Sequence, residues 1–307
     1  MRLVCFILIA FMLVPLLHAE ERPGTSAVAS ADQANGLQSS ARNNAVLDVT
    51  PGSPVLKNRD FYDQSGILHP FVRMPRYVLA DQRRIWTSPF HTSRSDIKWW
   101  ILMGGATGAL IAADKSIETN PPRANNTFVS VSTGASRVGA AYTLIPVSAA
   151  FYFLGSGTHD EPMRETGLLS FETLIDTAIT GEVLKMVAGR ARPYQNDGKG
   201  RFEDNPSGRW SSGFPSGHAM STWALASIVA HEYPRHRLVP LAAYGLALTV
   251  SVARVGARQH FPSDVVAGSA IGWFIGDFVY ARRHNRELAG RRNVAETILE
   301  HIRIGGV

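Results

Sequence analysis

Three groups of residues in this chain combine types and spacings that suit the chemistry of an oxyanion. The first is Lys185, Arg192 and Pro193. Residues seven apart on a helix return to nearly the same face, so Lys185 and Arg192 can aim two cations at one anion before Pro193 fixes the exit. Alone, the pair reads more simply as a basic helix end complementing the macrodipole. The second group is Phe214, Pro215, Ser216, Gly217 and His218, followed at once by an apolar helical run over 219–230. Proline near a helix start leaves backbone amides exposed, and Gly217 lets an oxyanion come close to them with His218 beside it. An ordinary helix cap with a surface histidine fits the pentapeptide equally well. The third group is Arg254, His260 and Asp264, with Pro262 and Ser263 between the last two. Asp264 opens the last predicted helix four residues after His260, close enough for its carboxylate to take the Nδ1 proton and leave Nε2 free as a nucleophile. A core histidine next to a helix-capping carboxylate has the same pattern. The combination of all three groups favours one anion site over three separate structural features.

The elements that must position these groups are helical. Apolar segments at 99–113, 138–157, 168–187, 219–232, 238–253 and 264–282 alternate with polar loops. Each is long enough for a helix and none alternates as a strand does, so the expected fold class is all-α, a bundle of about six core helices. Gly268, Gly272 and Gly276 recur every fourth residue of the last segment, which lets another helix approach closely along that face. Trp210, Ser211 and Ser212 read as loop. Only 138–158 reaches spanning length without a charge, and it contains Pro146, while Glu172, Asp176 and Glu182 interrupt another segment. With mean hydropathy near zero (−0.03), the composition favours a soluble or peripheral bundle, a case with one or two spans being the alternative.

The rest of the chain bounds the reading. Arg2, an apolar run to Leu17 and Ala19 form an export signal over 1–19, too short to span a bilayer comfortably. The single cysteine, Cys5, lies inside it, so thiol chemistry and disulfides are excluded from the mature protein. Residues 20–60 are rich in small and polar residues and read as a disordered linker. Residues 61–98 carry Tyr62, Phe71, Tyr77, Trp86 and Phe90 among charges and are expected to pack across the domain as short pieces. Beyond the domain at 99–283, the tail 284–307 is basic and offers attraction to an anionic membrane surface, although such a run is more often simply solvated. Lys and Arg number 31 against 25 Asp and Glu, an excess of six that suits anionic ligands but is too small to argue for nucleic acid. Sequence spacing shows no cluster of Asp, Glu, His or Cys ligands for a metal.

The three groups resemble the signature of the type 2 phosphatidic acid phosphatase and vanadium haloperoxidase superfamily, K-x6-RP, then PSGH, then SR-x5-H-x3-D. This chain reads KMVAGRARP from Lys185, PSGH from Pro215 and ARVGARQHFPSD from Ala253, in the same order and with the same internal spacing. The resemblance covers roughly residues 99–283. One position departs: Ala253 stands where the family usually has Ser. One neutral hydrogen bond is worth about 1 kcal/mol net, less than the charge-assisted bonds of three cations, so activity should survive.

The resemblance implies that Lys185, Arg192 and Arg254 cradle the phosphoryl oxygens, together with the amides near Ser216 and Gly217, and that no metal or other cofactor is needed. It further implies that His260 attacks phosphorus to give a phosphohistidine, that His218 protonates the leaving oxygen and later activates water, and that Asp264 orients His260. The implied function is a phosphatase acting on a phosphomonoester or pyrophosphate, whether a lipid phosphate, an isoprenyl pyrophosphate or a small ester, in the periplasm or cell envelope. Vanadate is expected to inhibit. Two alternatives are a vanadate-dependent haloperoxidase, with vanadate as cofactor in the same cradle, and a non-catalytic lipid or anion binder, against which the retention of both histidines argues.

Overall fold

A computed structural model describes residues 68–91, 94–119, 126–195 and 200–285. The expected signal over 1–19, the linker over 20–60 and nearly all of the basic tail lie outside the described residues. Eight α-helices occur among the described residues: α1 His69–Thr87, α2 Arg94–Thr119, α3 Asn126–Ser136, α4 Ala141–Thr158, α5 Glu161–Ala188, α6 Gly217–Glu232, α7 Leu238–Gly256 and α8 Pro262–Arg283. No strand occurs among them, so the protein is an all-α bundle.

Local chemistry sets the helix ends that carry the site. Asp160 caps α5, its carboxylate accepting the Met163 amide at 3.0 Å, with Pro162 in the first turn. At the other end Gly189 takes a left-handed φ of 52° that a side chain would strain. Helix α8 starts at Pro262, and the Asp264 carboxylate reaches back to the Phe261 amide at 2.8 Å.

The bundle is organised around α6, whose Ala219, Met220, Trp223, Ala224 and Ile228 are wholly enclosed. Burying a large apolar side chain contributes about 1.5–3 kcal/mol, so this helix anchors the core. The glycine stripe of α8 is why α6 and α8 lie so close. A Cβ on Gly268, Gly272 or Gly276 would fall 2.5, 2.0 or 2.5 Å from the carbonyl oxygens of Ser216, Met220 and Ala224. That is backbone-to-backbone contact along three turns, and it fixes the first turn of α6 against the first turn of α8.

Two differences from the sequence expectation concern the N-terminal side and the surface. Residues expected as short pieces form one 19-residue helix, α1, whose Met74, Tyr77 and Val78 join the core with Tyr152, Leu168, Leu169 and Met220. Its charged outer face hid this amphipathic period. The stretch Asn126–Thr158 and helix Leu238–Gly256 are both long and apolar enough to cross a membrane, and most of each lies on the outside of the bundle. Ile145, Val147, Phe153, Leu154, Leu238, Leu241 and Leu246 are exposed there. An apolar surface of this extent suits contact with lipid better than water.

Candidate active site

Four helix ends converge to form the site. Lys185 lies in the last turn of α5 and Arg192 four residues past that helix. His218 is in the first turn of α6 and Arg254 in the last turn of α7. His260 occupies the short α7–α8 connection, with Asp264 in the first turn of α8. All eight sequence-predicted residues therefore come together, since the same cations, Lys185, Arg192 and Arg254, act on both histidines.

Each cation is held differently. Lys185 Nζ pairs with the Glu182 carboxylate at 2.6 Å and stands 3.5 Å from where a Cβ on Gly217 would be, beside the α6 N-terminus. Arg192 donates from Nε to the Ser211 carbonyl at 3.0 Å and from Nη1 to the Gln259 carbonyl at 3.4 Å. Arg254 is buried; its Nη1 reaches the Ser136 hydroxyl at 3.4 Å, and its Nε has no hydrogen-bond partner. Buried Ser216 Oγ also lacks one. Unsatisfied buried donors are uncommon; one belongs to a cation of this cluster and the other to the N-cap residue of α6, a pattern that suits an anion. The Ser216 amide is not part of it, contrary to expectation, because it donates to the Asp264 carbonyl at 2.9 Å. Ser216 thus offers its hydroxyl, leaving the following first-turn amides for the anion. Beside Ala253, where the resemblance calls for Ser, the Ser136 hydroxyl comes to Arg254 from α3.

His260 is buried, and its Nδ1 lies 2.7 Å from the Gly213 carbonyl. A carbonyl can only accept, so Nδ1 carries the proton and Nε2 keeps its lone pair. This corrects the expected partner. Asp264 Oδ2 is 3.6 Å from Nδ1, outside hydrogen-bond reach, because that oxygen accepts the Phe261 amide and Oδ1 accepts from Arg190. Burial, then Arg254 and Arg192, push the His260 pKa well below the ordinary value. Burial, then Arg254, His260 and the other two cations, lower His218 to about 3. Both imidazoles are therefore neutral, and the contact of His260 with Asp264 is not an ion pair. Asp264 is raised to about 6, chiefly by burial and against the pull of Arg190.

Sequence spacing missed Arg190, Asp114, Ser212 and Gly213. Arg190 is 1% exposed and donates to Asp114 at 2.7 Å, to Ser263 Oγ at 2.6 Å, to the Gly200 carbonyl at 2.9 Å and to Asp264. The Ser263 hydroxyl in turn donates to Asp114. The one available signal was Asp114 itself, a carboxylate at the end of an apolar helical run, which demands a buried partner without naming it. Spacing also showed no candidate metal ligands, whereas the fold builds two groups whose ligand atoms lie within 4.8 Å of one another, Asp81 with Glu172 and Asp176, and Glu165 with Glu232 and His284. Neither includes a residue of the anion site.

Fold and site define a class, an all-helical bundle that brings three cations and two histidines together at four helix ends. The sequence model of the PAP2 superfamily matches residues 167–288. A lipid A 1-phosphatase of Rhizobium etli is 36% identical over 121 residues, 38% of this chain and 51% of that protein. A lipid A 4'-phosphatase of Helicobacter pylori is 31% identical over 136 residues, 43% of this chain and 67% of that protein. The crystal structure of a transmembrane PAP2 type phosphatidylglycerolphosphate phosphatase from Bacillus subtilis aligns at a TM-score of 0.42 and 21% identity, over 70% of this chain and 97% of that one. The chain belongs to the PAP2 superfamily. It spans about half the length of the lipid A 1-phosphatase from Rhizobium etli.

Proposed function

We propose that the protein is a metal-independent phosphatase of the cell envelope that hydrolyses a phosphomonoester or pyrophosphate on a lipid through a phosphohistidine on His260. The observation that carries the reading is a pair of unpartnered buried donors, Arg254 Nε and the hydroxyl of Ser216, the N-cap residue of α6, in a cluster with Lys185, Arg192 and two neutral histidines. A bound phosphate dianion would satisfy these donors and offset the cations that, after burial, hold both histidine pKa values down.

The steps follow from the hydrogen bonds. His260 keeps its proton at Nδ1 on the Gly213 carbonyl, so the Nε2 lone pair attacks phosphorus and the bond to the leaving oxygen breaks. With the dianion neutralising Lys185, Arg192 and Arg254, the pKa of His218 rises, and it becomes the acid that protonates the leaving oxygen. Neutral again, it takes a proton from the water that displaces His260 from phosphorus. Asp264, 3.6 Å from Nδ1, steadies the positive charge on the phosphorylated imidazole. The names of the relatives and the exposed apolar faces of α4 and α7 support a lipid substrate at a membrane.

The test is rapid quenching with an activated aryl phosphate, whose leaving group needs little protonation. His218→Ala is expected to accumulate a phosphoenzyme stable to alkali and labile to acid, and His260→Ala to form none. Labelling of His260→Ala but not of His218→Ala would reverse the two roles. Chelation is expected to leave turnover unchanged and orthovanadate to inhibit; complete loss in EDTA would overturn the metal-independent reading.

A further inference from the structure

We propose that Arg190 is the positioning residue of the nucleophile: one residue grips His260 from both sides, through its main chain and through its guanidinium, without touching the phosphate. The inference rests on the reading of His260 as nucleophile.

The main-chain grip runs through one residue, Gly213. The Arg190 carbonyl accepts the Gly213 amide at 2.8 Å, and the Gly213 carbonyl accepts His260 Nδ1–H at 2.7 Å. The Arg190 amide donates to Ser212 Oγ at 2.8 Å, and the same hydroxyl accepts the Phe214 amide at 3.3 Å. Ser212 and Gly213 are thereby fastened to Arg190 on both faces of its backbone, and the acceptor that decides the tautomer of His260 is fixed in place.

The side-chain grip acts on the residues that follow His260. The guanidinium lies between the rings of Phe261 and Phe202, at 4.5 and 4.8 Å from their centroids. From there it binds Ser263 and Asp264 at the start of α8, and Asp114 on α2. Gly200, whose carbonyl takes the Arg190 Nε–H, has φ 59°, and a Cβ there would lie 2.3 Å from the Phe261 ring. Only glycine lets the loop close over this ring stack.

Arg190 differs from Arg192 and Arg254 in that its donors are taken up by protein. At 1% exposure, with four hydrogen bonds to Asp114, Gly200, Ser263 and Asp264, it has no face turned to substrate. It also explains why Asp264 stands off from Nδ1: Arg190 holds one carboxylate oxygen and the Phe261 amide the other. A bidentate, stacked guanidinium has no lysine equivalent.

The experiment measures the phosphorylation rate by rapid quench with an activated aryl phosphate, the inhibition constant of inorganic phosphate as a readout of the cradle, and the His260 tautomer by nitrogen NMR, in the full chain. Arg190→Lys is expected to slow phosphorylation about 100-fold, the scale of a misplaced reacting group, while the phosphate constant moves less than about 3-fold. Ser212→Ala leaves both buried ion pairs intact and so decides the matter even if Arg190→Lys does not fold. It is expected to slow phosphorylation about 10-fold and to reduce the Nδ1–H population, with Ser212→Thr restoring both. Wild-type phosphorylation in Ser212→Ala, or a phosphate constant that rises in parallel with the loss of rate, would overturn the proposal. Failure of the underlying reading looks different, because His260→Ala would then still form a phosphoenzyme.

Discussion

The two ends of α5 and α8 hold buried polar clusters of opposite sign. At the C-terminal end of α5 and the N-terminal end of α8, cations predominate and the unpartnered atoms are donors, Arg254 Nε and Ser216 Oγ. About 28 Å away along α8, at 1.5 Å per residue from Asp264 to Arg283, carboxylates predominate. Asp81, Glu172 and Asp176 are fully buried there around Arg283, which pairs with Asp81 at 2.8 Å and Glu172 at 3.0 Å. Nearby, His284 faces Glu165 and Glu232 at 3.3 and 3.5 Å. Unpartnered carboxylate oxygens gather at this end, Glu165 Oε2, Glu172 Oε2 and Asp176 Oδ2 among them, beside the unpartnered Arg282 Nη1. The difference lies in how each excess can be relieved. A buried carboxylate takes a proton, and burial accordingly raises Glu172 well above its ordinary value and Asp176 and Glu232 to about 7. A buried arginine keeps its proton and needs an anion: Arg190 and Arg283 find carboxylates within the protein, whereas no carboxylate pairs with Arg254 among the described residues. The cationic end therefore has the character of an anion-binding site, and the acidic end holds three helices together and titrates.

Experiments that break this contrast differ in size. The largest effect is expected from His260→Ala, which removes the nucleophile and should cost at least about 10³-fold in turnover with an unchanged melting temperature. Arg254→Gln comes next. It should lower kcat/KM by about 10²-fold, the scale of losing one charge-stabilising donor. Because Arg254 depresses both histidines, its removal raises their pKa values. The acidic limb of the kcat/KM profile, which reports the neutral nucleophile, should move to higher pH. The smallest effect belongs to the acidic end. Asp176→Asn keeps an acceptor for Gln82, which now donates to Asp176 Oδ1 at 2.9 Å, and should leave turnover within about twofold. Its signature is in stability. A carboxyl raised to about 7 in the folded state stabilises it most at low pH, so this contribution to wild-type stability is lost as pH rises from the ordinary carboxylate range to about 7. Each unit of pKa shift corresponds to about 1.4 kcal/mol, and the asparagine variant should show a shallower slope in melting temperatures measured from pH 5 to about 7, the remainder belonging to Glu172 and Glu232. Loss of activity in Asp176→Asn with an unchanged melting curve would show that the acidic end belongs to the chemistry after all.

Much of the helical plan was legible along the chain. All six apolar segments are helical, and the glycine stripe of α8 marked a close helix approach, which the α6 backbone makes. Helices α1 and α3 were not legible as helices. In α1 the exposed face carries Arg73, Arg76, Arg83 and Arg84, and its buried face includes Asp81 and Gln82, polar residues that only their partners on α5 and α8 make tolerable inside. In α3 the run Ser130, Ser132, Thr133 and Ser136 is poor in helix formers, and the helix stands because it packs on α7.

In the site, the types and order of the reacting residues were fixed by local rules that operate within one or two helical turns. Seven residues return Lys185 and Arg192 to one face, a proline sets each helix start, and four residues place Asp264 near His260. Those rules determined that three cations and two histidines, which the fold brings together, would carry the chemistry. They could not determine which group holds the nucleophile, since the acceptor on His260 Nδ1 is a backbone carbonyl 47 residues away and the guanidinium clamping Asp264 is 74 away. Nor could they show that Arg190 is sealed among protein side chains while Arg192, two residues later, binds two backbone carbonyls. Hydrogen bonds between such distant residues depend on how α2, α5 and α8 pack, and only the tertiary structure decided that.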